Sequence, residues 1–253
     1  MILKDTSSAH FLALHGFTGE GADYSALSSY TGGDWLCADL PGHGSLKDAT
    51  HNQFSISSIE KQVLARPPSS GYIGIGYSMG GRLLLHLAHR NPDIFKALVL
   101  ISTSPGLRTE RERIERIRSD EKWIRILETT PLPHFLDLWW NQPILASIRN
   151  LPATQLNQLR EQRLKNSPDG LIRSLQQNGT GAIPSMWEAL PDLQMPSLLV
   201  VGQSDMKFQK IAKQMKLGLA RVRYSVIDQS GHSPHLENPQ DTSLAIKDFL
   251  QTM

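Results

Sequence analysis

Cysteine is nearly missing: Cys37 is the only one in 253 residues. No disulfide can form within one chain, and in the apolar run Trp35-Leu-Cys-Ala this residue reads as a small buried hydrophobe rather than a reactive thiol. Long apolar runs are missing too. No stretch approaches the roughly 20 apolar residues of a membrane span, and the opening Met1-Ile-Leu-Lys-Asp-Thr-Ser carries no signal-peptide core. The expectation is a cytoplasmic protein with no membrane span. Charge of either sign is not in excess, since 26 Lys and Arg face 24 Asp and Glu. No extended basic block with interleaved aromatics occurs, so bulk attraction to nucleic acid is excluded and any work done by positive charge is local.

What the chain does have is apolar content, at 40% hydrophobic residues, enough for one sizeable domain with an insertion. Short apolar runs suited to buried parallel strands recur at Phe11 to Leu14, Trp35 to Asp39, Tyr72 to Gly76, Ala97 to Ser102, Ser197 to Gly202 and Arg223 to Asp228. Helical patterns at Ile56 to Ala65, Gly81 to His89, Met206 to Leu217 and Thr242 to Leu250 separate or follow most of them. This alternation predicts an α/β fold, a mostly parallel sheet with helices on both faces, with ligands at the carboxyl ends of the strands. Between Ser104 and about Pro196 the strand signal vanishes. Helical stretches broken by Pro131, Pro133, Pro143, Pro152, Pro168 and Pro184 take its place. Residues 1–104 and 196–253 therefore read as the α/β core and residues 105–195 as a helical cap. The short lead leaves room for at most one strand before Phe11.

The segment Gly76-Tyr-Ser-Met-Gly-Gly fits the nucleophile-elbow pattern at a junction of a buried strand with a good helix. Ser78 is thus the candidate reactive residue. A serine hydroxyl needs a histidine to take its proton and a carboxylate to orient that histidine. Asp205 follows the strand ending at Gly202, and His232 follows the one ending at Asp228. The order Ser, Asp, His is the order of the α/β-hydrolase arrangement. His235 is a competing base, although its place after Pro234 suits a surface position or the start of a helix. An oxyanion hole requires two backbone N–H groups, and Phe17 in Leu14-His-Gly-Phe and Met79 after the serine are the candidates. Asp39-Leu-Pro-Gly-His-Gly supports the fold, with His43 structural.

Positive charge gathers in the cap. On an ideal helix from Thr109 to Glu128, Ile114, Ile117, Trp123, Ile124 and Leu127 share a face, with Arg113 and Arg116 on or beside it. Cations on such a stripe need a partner. An anionic ligand is one explanation, and Asp120, four residues after Arg116, is another. Arg82 lies one turn into the elbow helix, close enough to Ser78 to face the same cavity.

With these residues in place, the chain resembles the 2-succinyl-6-hydroxy-2,4-cyclohexadiene-1-carboxylate synthases, α/β-hydrolase-fold lyases of menaquinone and phylloquinone biosynthesis. Beyond His15-Gly-Phe-Thr-Gly and the elbow, the resemblance runs through Ser104-Pro-Gly-Leu, Glu115-Arg-Ile-Arg-Ser-Asp, Trp139-Trp-Asn-Gln-Pro and Arg163-Leu-Lys-Asn. It continues in Gly179-Thr-Gly, Pro184-Ser-Met-Trp and Ser204-Asp-Met-Lys-Phe. The core motifs are shared with many hydrolases; the cap motifs are particular to this family. The resemblance implies loss of pyruvate from an enolpyruvyl cyclohexene carrying three carboxylates, with the Ser78–His232–Asp205 triad as general base. It also implies that Arg82, Arg116 and Arg163 grip this small-molecule tricarboxylate, with Arg160 as the alternative to Arg163, while Tyr77 and Trp139 line the pocket. Trp187 is a further wall candidate. No metal or organic cofactor is implied. A carboxylesterase or carbon–carbon bond hydrolase would use the same triad with water.

Overall fold

The computed structural model describes residue 6 and residues 8–253. The signal-peptide reading and the room for a strand ahead of Phe11 fall mostly on residues 1–5 and 7, outside the described residues.

Six strands form one parallel sheet: β1 (His10–Leu14), β2 (Asp34–Ala38), β3 (Tyr72–Tyr77), β4 (Phe95–Ile101), β5 (Ser197–Gly202) and β6 (Val222–Ile227), in the order β2-β1-β3-β4-β5-β6. Each inner strand is an almost unbroken apolar run because both of its faces are covered. Alternate side chains feed two cores. Leu12, Leu14, Leu98, Leu100, Leu199 and Val201 pack beneath α2 (Ile56–Val63), α3 (Met79–Arg90) and α8 (Met206–Met215). Phe11, Ala13, Ile75, Val99 and Val200 face the opposite layer, formed by α1 (Ser25–Thr31) and α10 (Pro239–Leu250). Each fully buried Leu or Ile contributes roughly 1.5–3 kcal/mol.

The glycines of β3 explain how α3 comes to lie so near the sheet. A methyl group on Gly76 would meet Gly81 Cα at 2.5 Å, and one on Gly80 would collide with the Leu14 carbonyl. Strand and helix thus touch backbone to backbone, which carries the first turn of α3 to the sheet's carboxyl edge.

Between β4 and β5 the chain runs through α4 (Glu110–Thr129), α5 (Leu132–Trp140), α6 (Ala153–Arg163) and α7 (Pro168–Asn178). Helix α4 begins at a capping box, in which Thr109 Oγ1 accepts from Glu112 N–H and Glu112 Oε2 accepts from Thr109 N–H. Helices α4, α5 and α7 share a small core of Leu127, Phe135, Leu136, Leu171 and Leu175, while Leu159 of α6 packs with Trp140 and Ile148. One expectation needs correcting here. Ile114 and Ile117 are each 41% exposed, so the apolar stripe of α4 is buried only from Trp123 onward. The first half of the helix meets the rest of the protein along a narrower strip, where Arg113 Nε donates to Gly181 O at 3.2 Å and Arg116 lines the cavity.

Candidate active site

Ser78 sits between β3 and α3 with φ of +49°, a left-handed value that is unfavourable for a residue bearing a side chain. Two hydrogen bonds hold it there: Ser78 N–H donates to Ile101 O at 2.9 Å, and Thr103 Oγ1 donates to Ser78 O at 2.7 Å. The turn lifts the hydroxyl above the sheet edge, where His232 Nε2 lies 3.2 Å from Ser78 Oγ. His232 Nδ1 is 2.7 Å from Asp205 Oδ2. Asp205 also caps α8, accepting from Phe208 N–H at 3.1 Å through Oδ1, so its two oxygens are committed to separate tasks. Binding the carboxylate at Nδ1 leaves Nε2 free to receive a proton from the serine.

The loop carrying His232 is pinned from behind. Gly231 N–H and Ser233 N–H, on either side of the histidine, donate to the two carboxylate oxygens of Glu237 at 2.7 and 2.9 Å. Tyr77 Oη lies 2.7 Å from Ser233 Oγ. Glu237, in the short helix α9 (Pro234–Glu237), was not singled out in the sequence, since nothing in its spacing marks a carboxylate that binds backbone N–H groups.

A cavity of about 210 Å³ opens over Ser78. Phe17, Tyr77, Met79, Arg82, Arg116, Trp139 and His232 line it, and so do Trp123, Asp120, Phe208 and Lys207. Trp139 meets Phe17 and Trp123 edge to face, at centroid distances of 5.0 and 4.9 Å. Among the described residues the Phe17 N–H meets no acceptor, and the Met79 N–H, first in α3, belongs to the unsatisfied turn of a helix N-terminus. Both are therefore available to an anionic oxygen. Trp187 does not line this cavity: its Nε1–H donates to Gly106 O at 3.0 Å and Arg108 lies over its ring.

Positive charge dominates the walls, with Arg82, Arg116 and Lys207 facing one carboxylate, Asp120. Arg116 Nε donates to Asp120 Oδ1 at 2.8 Å, so the ion pair and the cavity-lining position coexist. Burial, then the neighbouring Arg116, pushes the Arg82 guanidinium down to about 9, while Asp120 opposes the shift. At neutral pH it still carries its charge. Its Nε is buried with no partner among the described residues, an arrangement that costs energy unless an anion completes it. Burial and Arg116 likewise lower Lys207, and burial raises Asp120. Lys207 is a cavity residue that sequence reasoning missed, although it stands two positions after Asp205 in a segment already singled out.

Arg163 is a correction. Its guanidinium is 5% exposed and clamps Asp23, with Nη1 and Nη2 donating to Asp23 Oδ1 and Oδ2 at 2.8 and 2.7 Å. It does not line the cavity over Ser78. Arg160 does not replace it, being paired with Asp137. A larger groove of about 560 Å³ runs between α1, α6 and α10. It holds Asp23 and Glu237 but no Lys, Arg or His among its lining residues, and it is unsuited to a carboxylate ligand.

His235 departs from the expected surface position: it is fully buried, its ring 4.3 Å from that of Tyr77, and neither ring nitrogen has a partner among the described residues. Burial pushes His235 and His43 down to about 3, with His15 adding to the shift of His43, and pushes His15 itself to about 4. The unfolded chain takes up these protons near 6.5, the folded chain only far below that, so the unfolded state binds more protons in between. Stability present above pH 6.5 is therefore lost as the pH falls toward 4, by about 1.4 kcal/mol per pH unit for each histidine. His235→Leu should leave stability at pH 7.5 nearly unchanged and flatten this acid limb in urea titrations; an acid limb parallel to wild type would refute the assignment.

Among the described residues no group of three or more His, Cys, Asp or Glu could hold a metal ion, and no helix is long and apolar enough to cross a membrane. The chain matches the Alpha/beta hydrolase family over residues 11–244. The 2-succinyl-6-hydroxy-2,4-cyclohexadiene-1-carboxylate synthase of Pectobacterium atrosepticum is 32% identical over 94% of this chain and 92% of that protein. The solved structure of MenH from S. aureus aligns with a TM-score of 0.88 at 29% identity, over 98% of this chain and 96% of that one. The enol-lactonase from Burkholderia xenovorans LB400 shares the fold, with a TM-score of 0.76 at 16% identity over 96% of this chain and 92% of that one.

Proposed function

Because the chain belongs to the alpha/beta hydrolase family and, within it, to the 2-succinyl-6-hydroxy-2,4-cyclohexadiene-1-carboxylate synthases, we propose that it is a pyruvate-eliminating lyase. Its substrate in this reading is 2-succinyl-5-enolpyruvyl-6-hydroxy-3-cyclohexene-1-carboxylate. The observation that carries the reading is the cluster of Arg82, Arg116 and Lys207 around the cavity that also holds Ser78 and His232. A neutral ester has no use for three cations, whereas a tricarboxylate does.

Ser78 Oγ removes the ring proton next to the succinyl ketone as its own proton passes to His232 Nε2, 3.2 Å away. Asp205, held to Nδ1 at 2.7 Å, stabilises the imidazolium. Electrons from the broken C–H bond shift through an enolate, whose oxygen is met by the Phe17 and Met79 N–H groups. They then form a double bond between the deprotonated carbon and its alkene neighbour, the electron pair of the original ring double bond moves one bond further on, and the C–O bond to the enolpyruvyl group breaks, leaving the conjugated diene. The leaving enolate takes back the proton and becomes pyruvate, so no water is consumed. General base catalysis supplies about 10²- to 10⁴-fold; enolate stabilisation and positioning supply much of the rest.

The test is direct. Purified protein incubated with the enolpyruvyl substrate is expected to release pyruvate stoichiometrically with the conjugated diene, followed by lactate dehydrogenase coupling and diene absorbance. Brisk hydrolysis of simple aryl esters without pyruvate release would favour the hydrolase, since an acyl-serine uses the same triad.

A further inference from the structure

The Phe17 N–H belongs to the planar peptide unit that also contains the Gly16 carbonyl, so whatever fixes that carbonyl aims the N–H in the opposite direction. Two donors fix it. Leu40 N–H donates to His15 Nε2 at 2.9 Å, so the hydrogen of the neutral ring is on Nδ1, which donates to Gly16 O at 2.8 Å. Gly19 N–H is the second donor, at 3.0 Å. Gly19 lies in a tight loop whose neighbour Thr18 has φ of +67°, a conformation that must be held from outside.

The hold comes from the helical segment. Asn166 Nδ2 donates to Thr18 O at 2.9 Å and its Oδ1 accepts from Gly44 N–H at 3.2 Å. Arg163 clamps Asp23 by two bonds, and Asp23 Oδ2 in turn accepts from Glu20 N–H at 3.3 Å. Asp23 is 2% exposed and Arg163 5%. An ion pair so buried contributes little net stability but is costly to break, and here it joins the end of α6 to the loop bearing a donor of the hole.

We propose that the Asp23–Arg163 pair, with Asn166, is a positioning device for the Phe17 N–H: Arg163 acts through Asp23 on the oxyanion hole and does not touch substrate. The assignment of the hole rests on the proposed function, but the demand for an oxyanion donor does not depend on the lyase chemistry. A fluorophosphonate reports on the hole together with the Ser78–His232 pair, without calling on the carboxylate-binding side chains. Ser78 Oγ forms a bond to phosphorus, fluoride leaves with the P–F electron pair, the serine proton goes to His232, and the phosphoryl oxygen occupies the hole.

The experiment compares wild type with Asp23→Asn, Arg163→Gln and the double variant, measuring the second-order rate of Ser78 phosphonylation and kcat and KM for pyruvate release. Each variant is expected to lose about 10²-fold in phosphonylation and in kcat, with KM unchanged. The double variant should be no worse than the worse single. It leaves no unpaired buried charge, so it keeps the question answerable if a single variant fails to fold. Wild-type phosphonylation rates in folded variants would overturn the proposal. So would a rise in KM confined to Arg163→Gln, which would return Arg163 to substrate binding. A wild-type protein that releases no pyruvate would sink the proposed reaction yet leave the phosphonylation comparison intact.

Discussion

Ser78→Ala is expected to reduce kcat for pyruvate release by about 10³-fold or more, with KM within about a factor of three of wild type. The asymmetry follows from where the groups sit. The hydroxyl is the group hydrogen-bonded to His232 Nε2, at 3.2 Å, whereas the groups proposed to hold carboxylates, Arg82, Arg116 and Lys207, are other side chains lining the cavity. Alanine therefore removes the relay atom and leaves the grip. His232→Ala should cost about as much, and Ser78→Ala with His232→Ala little more than either, because in the proposed mechanism the pair moves one proton as a unit. Retention of more than a tenth of wild-type kcat in Ser78→Ala would show that the imidazole reaches the ring proton unaided. The serine would then lose its place as base.

Arg116→Ala is expected to lower kcat/KM for the tricarboxylate by about 10²-fold, the loss of roughly 3 kcal/mol from one charge-assisted contact with a carboxylate. The opposing explanation is that Arg116 exists only to neutralise Asp120, to which it donates at 2.8 Å. Asp120→Asn separates the two. If the pair is purely structural, losing either partner has the same effect on activity through the fold. If Arg116 takes a substrate carboxylate, Asp120→Asn releases the guanidinium from a competitor and makes the cavity more positive, so KM should fall or hold while Arg116→Ala raises it. Because burial already raises the pKa of Asp120, the amide should cost little stability. Equal activity losses in the two variants, with matching falls in the urea midpoint, would leave the pair a structural bridge.

How much could be read from the chain alone depended on whether the physics was local. The six strands were legible because each is a short apolar-rich run, almost unbroken in the four inner strands that are covered on both faces, and the sheet has those six among the described residues. The elbow was legible because the glycines serve contacts within a few residues of the serine, Gly76 against Gly81 among them. Arg163 was not, because its partner Asp23 lies 140 residues earlier in the chain, and no periodicity links the two. Lys207 and Glu237 were missed for the same reason: one gains meaning from a cavity wall, the other from two backbone N–H groups. On α4, grouping Ile114 and Ile117 with Trp123 was too broad: nine residues at about 100° each put Trp123 on the side of the helix opposite Ile114, and both isoleucines are exposed while Trp123 packs in the helical segment.

The long excursion between β4 and β5 has a bearing on biogenesis. Leu98 and Ser197 are partners in neighbouring strands, so their pairing closes a loop of roughly a hundred residues, an event that comes late among non-local contacts. Domains fold as they leave the ribosome, amino-terminal part first. Four adjacent strands, β2-β1-β3-β4, can assemble while β5 and β6 are still being translated. Until then β4, buried at every position but Lys96 in the finished protein, is a bare apolar edge of the kind that recruits other chains. The nascent molecule holds its serine without Asp205 or His232, which arrive with the last two strands. Docking those strands covers the sticky edge and brings the serine its hydrogen-bonded partners, so a chain that stalls before β5 is expected to be inactive and prone to aggregate.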